Sequence, residues 1–496
     1  MKRYLWFALL LAVCAHAEVK LPVLLSDGAV LQRDMPMHFW GTAAPGENVT
    51  VTFLSHSEAS AADSLGHWNI YLPQAPAGGP YDLTIQGTNR IVLHDVLVGD
   101  VWVASGQSNM EFPMRQLKDA EQEIAAANSP NIRLLRIDRT HSEYPLSDAS
   151  AKPWTHCSPE AVRDFSAVAY YFAREITRTQ KVAVGIIESS WGGTVAEAWT
   201  SMDALSSDPA LMPVFAVRAR MMDEREEVTA RQKQDAAEAE AAKAKGLPVP
   251  KTKWHPDPEM WEPAALFNAM ISPLTAFPIR GVIWYQGESN SIIERDPYLY
   301  GRQFRALIED WRMHWGEGDF PFLFVQIANF TSTAEEDWPT IREGQRSALA
   351  LRNTGMAVTI DIGNPDDVHP LDKFDVGNRL ALIARATVYG EPIEYSGPLV
   401  REITRDGNGL RVWFDHSGTG LTVKGTAPTG FEVAGSDGRF QPAEARIDGH
   451  TVTVTSKAVS TPTSVRYGWA NSPECNLFNK EGLPASPFSA SLPPLH

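Results

Sequence analysis

The feature that most constrains this chain is a series of short apolar runs at 98–104, 132–137, 181–187, 280–285, 321–327 and 356–361. They alternate with longer stretches of helical pattern, such as 161–178, 295–314 and 376–388. Brief unbroken apolar runs are the mark of strands buried on both faces, and the helices between them supply the cover. The expectation for 98–394 is therefore an α/β domain built on a parallel sheet covered on both faces. The flanks read differently. In 18–97, segments such as Met37–Trp40, Val49–Phe53 and Tyr81–Ile85 stand between Gly, Pro and Asn turns, as in a β-sandwich. From 395 to 496 the β-type punctuation returns, as in Leu410–Phe414 and Val452–Val454.

Two segments lie outside that scheme. Residues 223–245 are rich in Ala, Glu, Lys and Arg, which favours a solvated helix, and Pro248, Pro250 and Pro256 follow as a loop. Together they read as an insertion at about 220–260, a surface excursion rather than a lid. At the start, Lys2 and Arg3 precede the apolar run Tyr4–Val13 and the small-x-small site Ala15-His16-Ala17. That is the pattern of a signal peptide over 1–17, cleaved after Ala17, and the expected location is secreted or periplasmic. The run is too short to span a bilayer, so no membrane insertion is expected. An excess of 60 Asp+Glu over 44 Lys+Arg repels phosphate backbones, which argues against a nucleic-acid partner. Cys157 and Cys475 read as two separate buried thiols rather than a bridge.

Open parallel sheets place their sites at the carboxyl ends of strands, and four such ends carry chemistry. The first run leads into Ser105-Gly106-Gln107-Ser108-Asn109-Met110, where a serine on a tight turn is well placed as a nucleophile. Met110 stands where a G-x-S-x-G elbow would need glycine, so the usual α/β-hydrolase arrangement is disfavoured. The second end is Glu188-Ser189-Ser190-Trp191-Gly192-Gly193-Thr194, whose paired glycines let backbone N–H groups approach an oxyanion. The third is Trp284-Tyr285-Gln286-Gly287-Glu288-Ser289-Asn290, which bunches amides and an acid beside two aromatics. The fourth is Asp366-Asp367-Val368-His369-Pro370, where an Asp three residues before a His can orient the ring. Asp and His also ligate metals, but the other strand ends offer Ser, Gly, Gln and Glu, so serine chemistry fits better and neither metal nor other cofactor is expected.

These blocks resemble those of SGNH (GDSL-type) hydrolases, and more closely those of the sialate O-acetylesterase family of carbohydrate esterases. The matching stretches are Val30-Leu31-Gln32-Arg33, VGDVWVASGQSNM (98–110), ESSWGGT (188–194), WYQGESN (284–290), DDVHP (366–370) and NKEGLPASPF (479–488). The resemblance implies a three-layer α/β/α SGNH-hydrolase domain, flanked by N-terminal and C-terminal β-rich regions, that removes O-acetyl groups from sugars. It matches Ser108 to the nucleophile, His369 to the general base and Asp366 to the acid orienting it. Gly193 matches an oxyanion donor beside the Ser108 N–H.

The third strand end departs from the general SGNH pattern, which places an Asn there. Gln286 is assigned to the oxyanion hole in its stead. Glu288 is left as a supporting acid, an alternative partner of His369, or a substrate contact. Asn109, Trp191, Tyr285 and Asn290 are candidates to hold the sugar, the aromatics equally so for the core. The partner expected is an acetylated sugar, preferably a neutral plant-type polysaccharide or its oligosaccharides. A sialate 9-O-acetyl ester, or a non-catalytic carbohydrate-binding protein, are the alternatives.

Overall fold

The computed structural model describes residues 18–223, 225–247, 258–293, 296–331 and 335–493. The proposed signal segment and Pro248, Pro250 and Pro256 lie outside the described residues. Each of the six apolar runs becomes a strand. They are β1 (Arg90–Gly106), β2 (Ser129–Arg136), β3 (Val184–Ser190), β4 (Gly281–Tyr285), β5 (Phe322–Gln326) and β6 (Thr354–Val358). All neighbouring pairs among them are parallel, in the order β6-β5-β4-β1-β3-β2. The chain passes from β1 out to β2, returns to β3 between them, then crosses to the other side of β1 through β4, β5 and β6. The reversal falls at β1, and the carboxyl ends of β1, β3 and β4 meet there, which is where an open parallel sheet holds its ligand.

The covering helices follow from local signals. Helix α1 (Ala167–Gln180) starts where Ser166 Oγ accepts from Ala169 N–H at 3.1 Å and stops at Lys181, in the left-handed region. Helix α2 (Tyr300–Trp315) buries Phe304, Leu307, Ile308, Trp311 and Trp315, spaced three and four apart, and ends at Gly316. Helix α3 (Lys373–Thr387) is capped by the Asp372 side chain on Asp375 N–H at 3.0 Å.

At the N-terminal side, strand β1 is 17 residues long and crosses position 97 without a break. Its first half pairs with the strand Gly78–Gln86, and Val30–Gln32 lies parallel to residues 97–99. One continuous core therefore runs from Val19 to Ala384. Asp100 is fully buried at this seam, with Arg33 Nε at 2.8 Å, Arg280 Nε at 3.0 Å and Tyr389 O–H at 2.9 Å. The Leu31-Gln32-Arg33 and Gly99-Asp100 blocks thus meet as a packing seam.

The C-terminal region forms two antiparallel four-stranded sheets around a core of its own, containing Leu410, Val412, Val433, Val452, Tyr467 and Phe488. Its NKEGLPASPF block seats it on the α/β domain. Gln326 Nε2, at the end of β5, donates to Ser486 Oγ at 2.9 Å, while within the region Asn479 Nδ2 donates to Ser396 O at 2.9 Å and His416 O at 3.1 Å. Most described side chains of the helix Arg225–Ala244 are exposed, with Asp235, Ala239 and Ala242 partly covered, as its composition implies. No helix among the described residues is long and apolar enough to cross a membrane. Cys157 and Cys475 are separate free thiols, the first buried and the second partly so.

Candidate active site

Ser108 opens a single turn, Ser108–Glu111, directly after β1. Gly106 makes this placement possible. At φ 133° it lies so close to β4 that a Cβ would come 2.1 Å from Tyr285 O, a site only glycine fits. Gln107 then locks the turn, its N–H on Tyr285 O at 2.9 Å and its Oε1 accepting from Gly287 N–H at 3.2 Å. Between Val98 and Met110 only Ser108 is partly exposed. As first residue of the turn, its N–H has no acceptor within it.

His369 reaches the same place from the loop between β6 and α3. Ser108, Glu111, Phe112, Arg136 and His369 line one cleft of about 560 Å³. No hydrogen bond joins Ser108 Oγ to the imidazole among the described residues. Burial and the Lys373 ammonium together hold the imidazole below its ordinary 6.5, so it is the neutral base at neutral pH.

The acid facing that ring is Asp367, not Asp366. Asp367 Oδ1 accepts the His369 backbone N–H at 2.9 Å and lies 3.5 Å from Nδ1. Asp366 is exposed, its own N–H on Asn364 Oδ1 at 3.0 Å. Residues 364–367 form a tight turn, in which Asp367 N–H donates to Asn364 O at 3.3 Å. Both carboxylates are exposed, and the turn leaves Asp367, the residue that sequence spacing did not favour, beside the ring.

Gly192 packs on the nucleophile: a Cβ there would come 3.1 Å from Ser108 Cβ. Its N–H is taken by Glu111 Oε2 at 2.8 Å, and Glu111 Oε1 is held in turn by Arg139 Nε at 2.5 Å and Arg136 Nη2 at 3.3 Å. Gly193 follows at φ 80°, half-exposed, its carbonyl fixed by Trp261 Nε1 at 2.6 Å.

The third strand end is structural. Gln286 is fully buried, and its amide donates to Asn290 Oδ1 at 2.7 Å and Thr194 O at 3.2 Å. Both N–H groups are committed, which removes Gln286 as an oxyanion donor. Asn290 is likewise consumed, accepting from Ala196 N–H at 3.0 Å and donating to Glu197 Oε2 at 3.0 Å. Tyr285 has no exposed surface, so it belongs to the core rather than to a sugar platform. Trp191 is half-buried against the same core.

Asn109 and Glu288 belong to a buried network. Asn109 Nδ2 donates to Glu288 Oε1 at 2.5 Å and to Val368 O at 3.0 Å, while its Oδ1 accepts from Lys373 Nζ at 2.5 Å. Asn109 is therefore a brace rather than a sugar contact. Burial pushes the Glu288 carboxyl up and the Lys373 ammonium down to about 7. Sequence reading missed Glu111, Asp367 and Lys373. Glu111 adjoins the 98–110 block and Asp367 lies inside the 366–370 block, but nothing in a sequence marks a lysine as buried. Among the described residues, no group of three or more His, Cys, Asp or Glu side chains is arranged to hold a metal ion.

Comparison with known proteins gives the family of the chain. Residues 250–384 match the family model for the carbohydrate esterase, sialic acid-specific acetylesterase domain. The chain is 32% identical to the mouse (Mus musculus) sialate O-acetylesterase, over 91% of this chain and 90% of that protein. It is 30% identical to the human (Homo sapiens) sialate O-acetylesterase, over 94% and 91%. Among solved structures, a carbohydrate acetylesterase from Xanthomonas citri superposes with a TM-score of 0.83 at 40% identity, covering 95% of this chain and 99% of that one.

Proposed function

Starting from the fact that the chain belongs to the sialate O-acetylesterase family of carbohydrate esterases, and so is a carboxylic ester hydrolase, we propose that it deacetylates neutral acetylated glycans through an acetyl-serine intermediate. The observation that carries this reading is that Ser108 and His369 face one cleft, with the Gly192–Gly193 turn packed on the serine. His369, neutral and backed by Asp367, takes the proton of Ser108 as Oγ attacks the acetyl carbonyl. The oxyanion rests on the N–H groups of Ser108 and Gly193. Collapse releases the sugar hydroxyl with the proton returned by His369, and water repeats the sequence on the acetyl-enzyme.

The preference for a neutral glycan rests on charge. The cleft adjoins a second recess of about 970 Å³, the two sharing Arg136, Arg139 and Asp164. Across both, Arg115, Arg136, Arg139 and Lys152 are matched by Glu111, Asp138, Glu160 and Asp164. Pooled over both recesses the charges cancel, while the Ser108 cleft alone carries three arginines against two carboxylates, a surplus of a single cation. The rival substrate, a sialate 9-O-acetyl ester, draws its support from the names of the mouse and human relatives. The signal-like start, Lys2 to Ala17, supports action outside the cytoplasm.

The deciding experiment is acetate release from acetylated xylan, acetylated xyloglucan oligosaccharides, 9-O-acetyl sialic acid and an aryl acetate, by wild type and Ser108→Ala. Release from the neutral glycans that disappears in the variant is the expected result. Release from the sialate ester alone would move the substrate to the rival class, and undiminished release by Ser108→Ala would end the serine mechanism.

A further inference from the structure

Behind the reacting pair lies a cation and an anion that the mechanism does not use. Lys373 has no exposed surface and Glu288 is 8% exposed, and the side chain between them is Asn109, the residue after the nucleophile. Asn109 Oδ1 takes the ammonium at 2.5 Å and its Nδ2 gives one hydrogen to Glu288 Oε1, also at 2.5 Å. An amide between such partners has one orientation. Turned over, it would set its NH2 against the ammonium and its oxygen against the carboxylate. With the lysine protonated and the glutamate ionised, the second Nδ2 hydrogen therefore points at Val368 O, 3.0 Å away, in the residue before His369. The aromatic walls are Phe112 and Tyr285, with Nζ 4.8 Å and 5.5 Å from their ring centroids.

We propose that Lys373 is a positioning residue of the deacetylation: with Glu288 it fixes the Asn109 amide, and through Asn109 it ties the histidine loop to the serine turn. The inference goes beyond the substrate reading and rests on Ser108 and His369 as the reacting pair. It has an electrostatic consequence. The charged groups facing Lys373 are Glu288 from the end of β4 and Asp367 and Asp372 from its own loop; those facing His369 are Asp367 and Lys373. The buried cation disfavours an imidazolium beside it, so it keeps His369 a free base further into the acid range.

The test uses the aryl acetate, with kcat and KM followed across pH for Lys373→Met, Lys373→Arg, Glu288→Gln and the Lys373→Met/Glu288→Gln double variant. Lys373→Met is expected to lower kcat about tenfold or more, since a small misplacement of reacting groups is costly. KM should stay within about twofold of wild type, because no ground-state contact is lost. Its acid limb should move to higher pH, and Lys373→Arg, which keeps the charge, should move it back. The double variant should lose less than the product of the two single losses, because it strands no buried charge. If Lys373→Met does not fold, the double variant carries the pH measurement, since it lacks the ammonium too. An unchanged acid limb with kcat near wild type, whatever the fall in Tm, would reduce Lys373 to a structural role. Strictly multiplicative losses in the cycle would overturn the clamp. A Ser108→Ala enzyme that still cleaves the ester would instead overturn the serine reading beneath it.

Discussion

At the scale of single residues, the cleft depends on which of two adjacent carboxylates meets an imidazole. Both are exposed, but only Asp367 lies within 4 Å of the His369 ring, at 3.5 Å, so the two alanine variants should separate cleanly. Asp367→Ala is expected to lower kcat by about two orders of magnitude or more, the imidazolium losing its partner. Asp366→Ala should remain near wild type, and steady-state kinetics on the aryl acetate read both. Equal losses would mean that the loop rearranges on substrate binding. The pH profile belongs here too. His369 is held below its ordinary 6.5 by burial and by Lys373, and only the neutral ring accepts the serine proton. Activity should therefore persist below pH 6.5 and fall as the pH drops through the lowered value. A half-maximal point above 6.5 would contradict the arrangement of charges. Ser108 and His369 were legible as candidates because their motifs put a nucleophile and a base at strand ends. Asp367 was not, because a tight turn rather than sequence distance decides which of two neighbouring exposed carboxylates lies beside the ring.

At the scale of elements, the strand ends work as brackets. The β3 end presents the Gly192–Gly193 turn, and a methyl on Gly192 would press on Ser108 and on Glu111 Oε2, each at 3.1 Å. Gly192→Ala should cut kcat by about tenfold or more while Tm changes little, since the displaced groups are the serine turn itself; kinetics beside thermal melts would show it. The same strand end buries Glu188, whose carboxyl burial pushes up to about 7. A raised carboxyl holds its proton more tightly in the folded chain. Its contribution to stability is then greatest below the ordinary 4.5 and is lost as pH rises towards about 7. Glu188→Gln should therefore raise Tm above pH 7 and leave it unchanged at pH 4.5. A uniform gain at both values would contradict this. The six strands were readable because burial on both faces forces an unbroken apolar run. The role of Gln286 was not, since the same amide serves an oxyanion or a neighbouring loop, and only the packing of Thr194 and Asn290 against it decides.

At the scale of the whole molecule, a buried cation joins the α/β domain to the C-terminal sheets. Arg342, fully buried, donates to Ile327 O at 3.0 Å and Ala328 O at 2.8 Å on one side, and to Ala470 O and Asn471 O at 2.8 Å on the other. Arg342→Met would leave four carbonyls without that donor, at a cost of at least about 3 kcal/mol. Chemical denaturation should show the loss, and limited proteolysis should show the C-terminal region released first; cleavage elsewhere at wild-type stability would refute the joint. The sequence by itself determined the class of the sheet, the β character of both flanks and the four strand ends where chemistry collects, because apolar patterning and turn residues are local properties of the chain. Tertiary structure alone decided that Asp367 lies beside the His369 ring, that Gln286 and Asn290 are braces, and that Lys373 and Glu288 meet around Asn109. Those outcomes turn on which groups lose water and which find partners far away along the chain, and that is settled only when the strand ends are brought together.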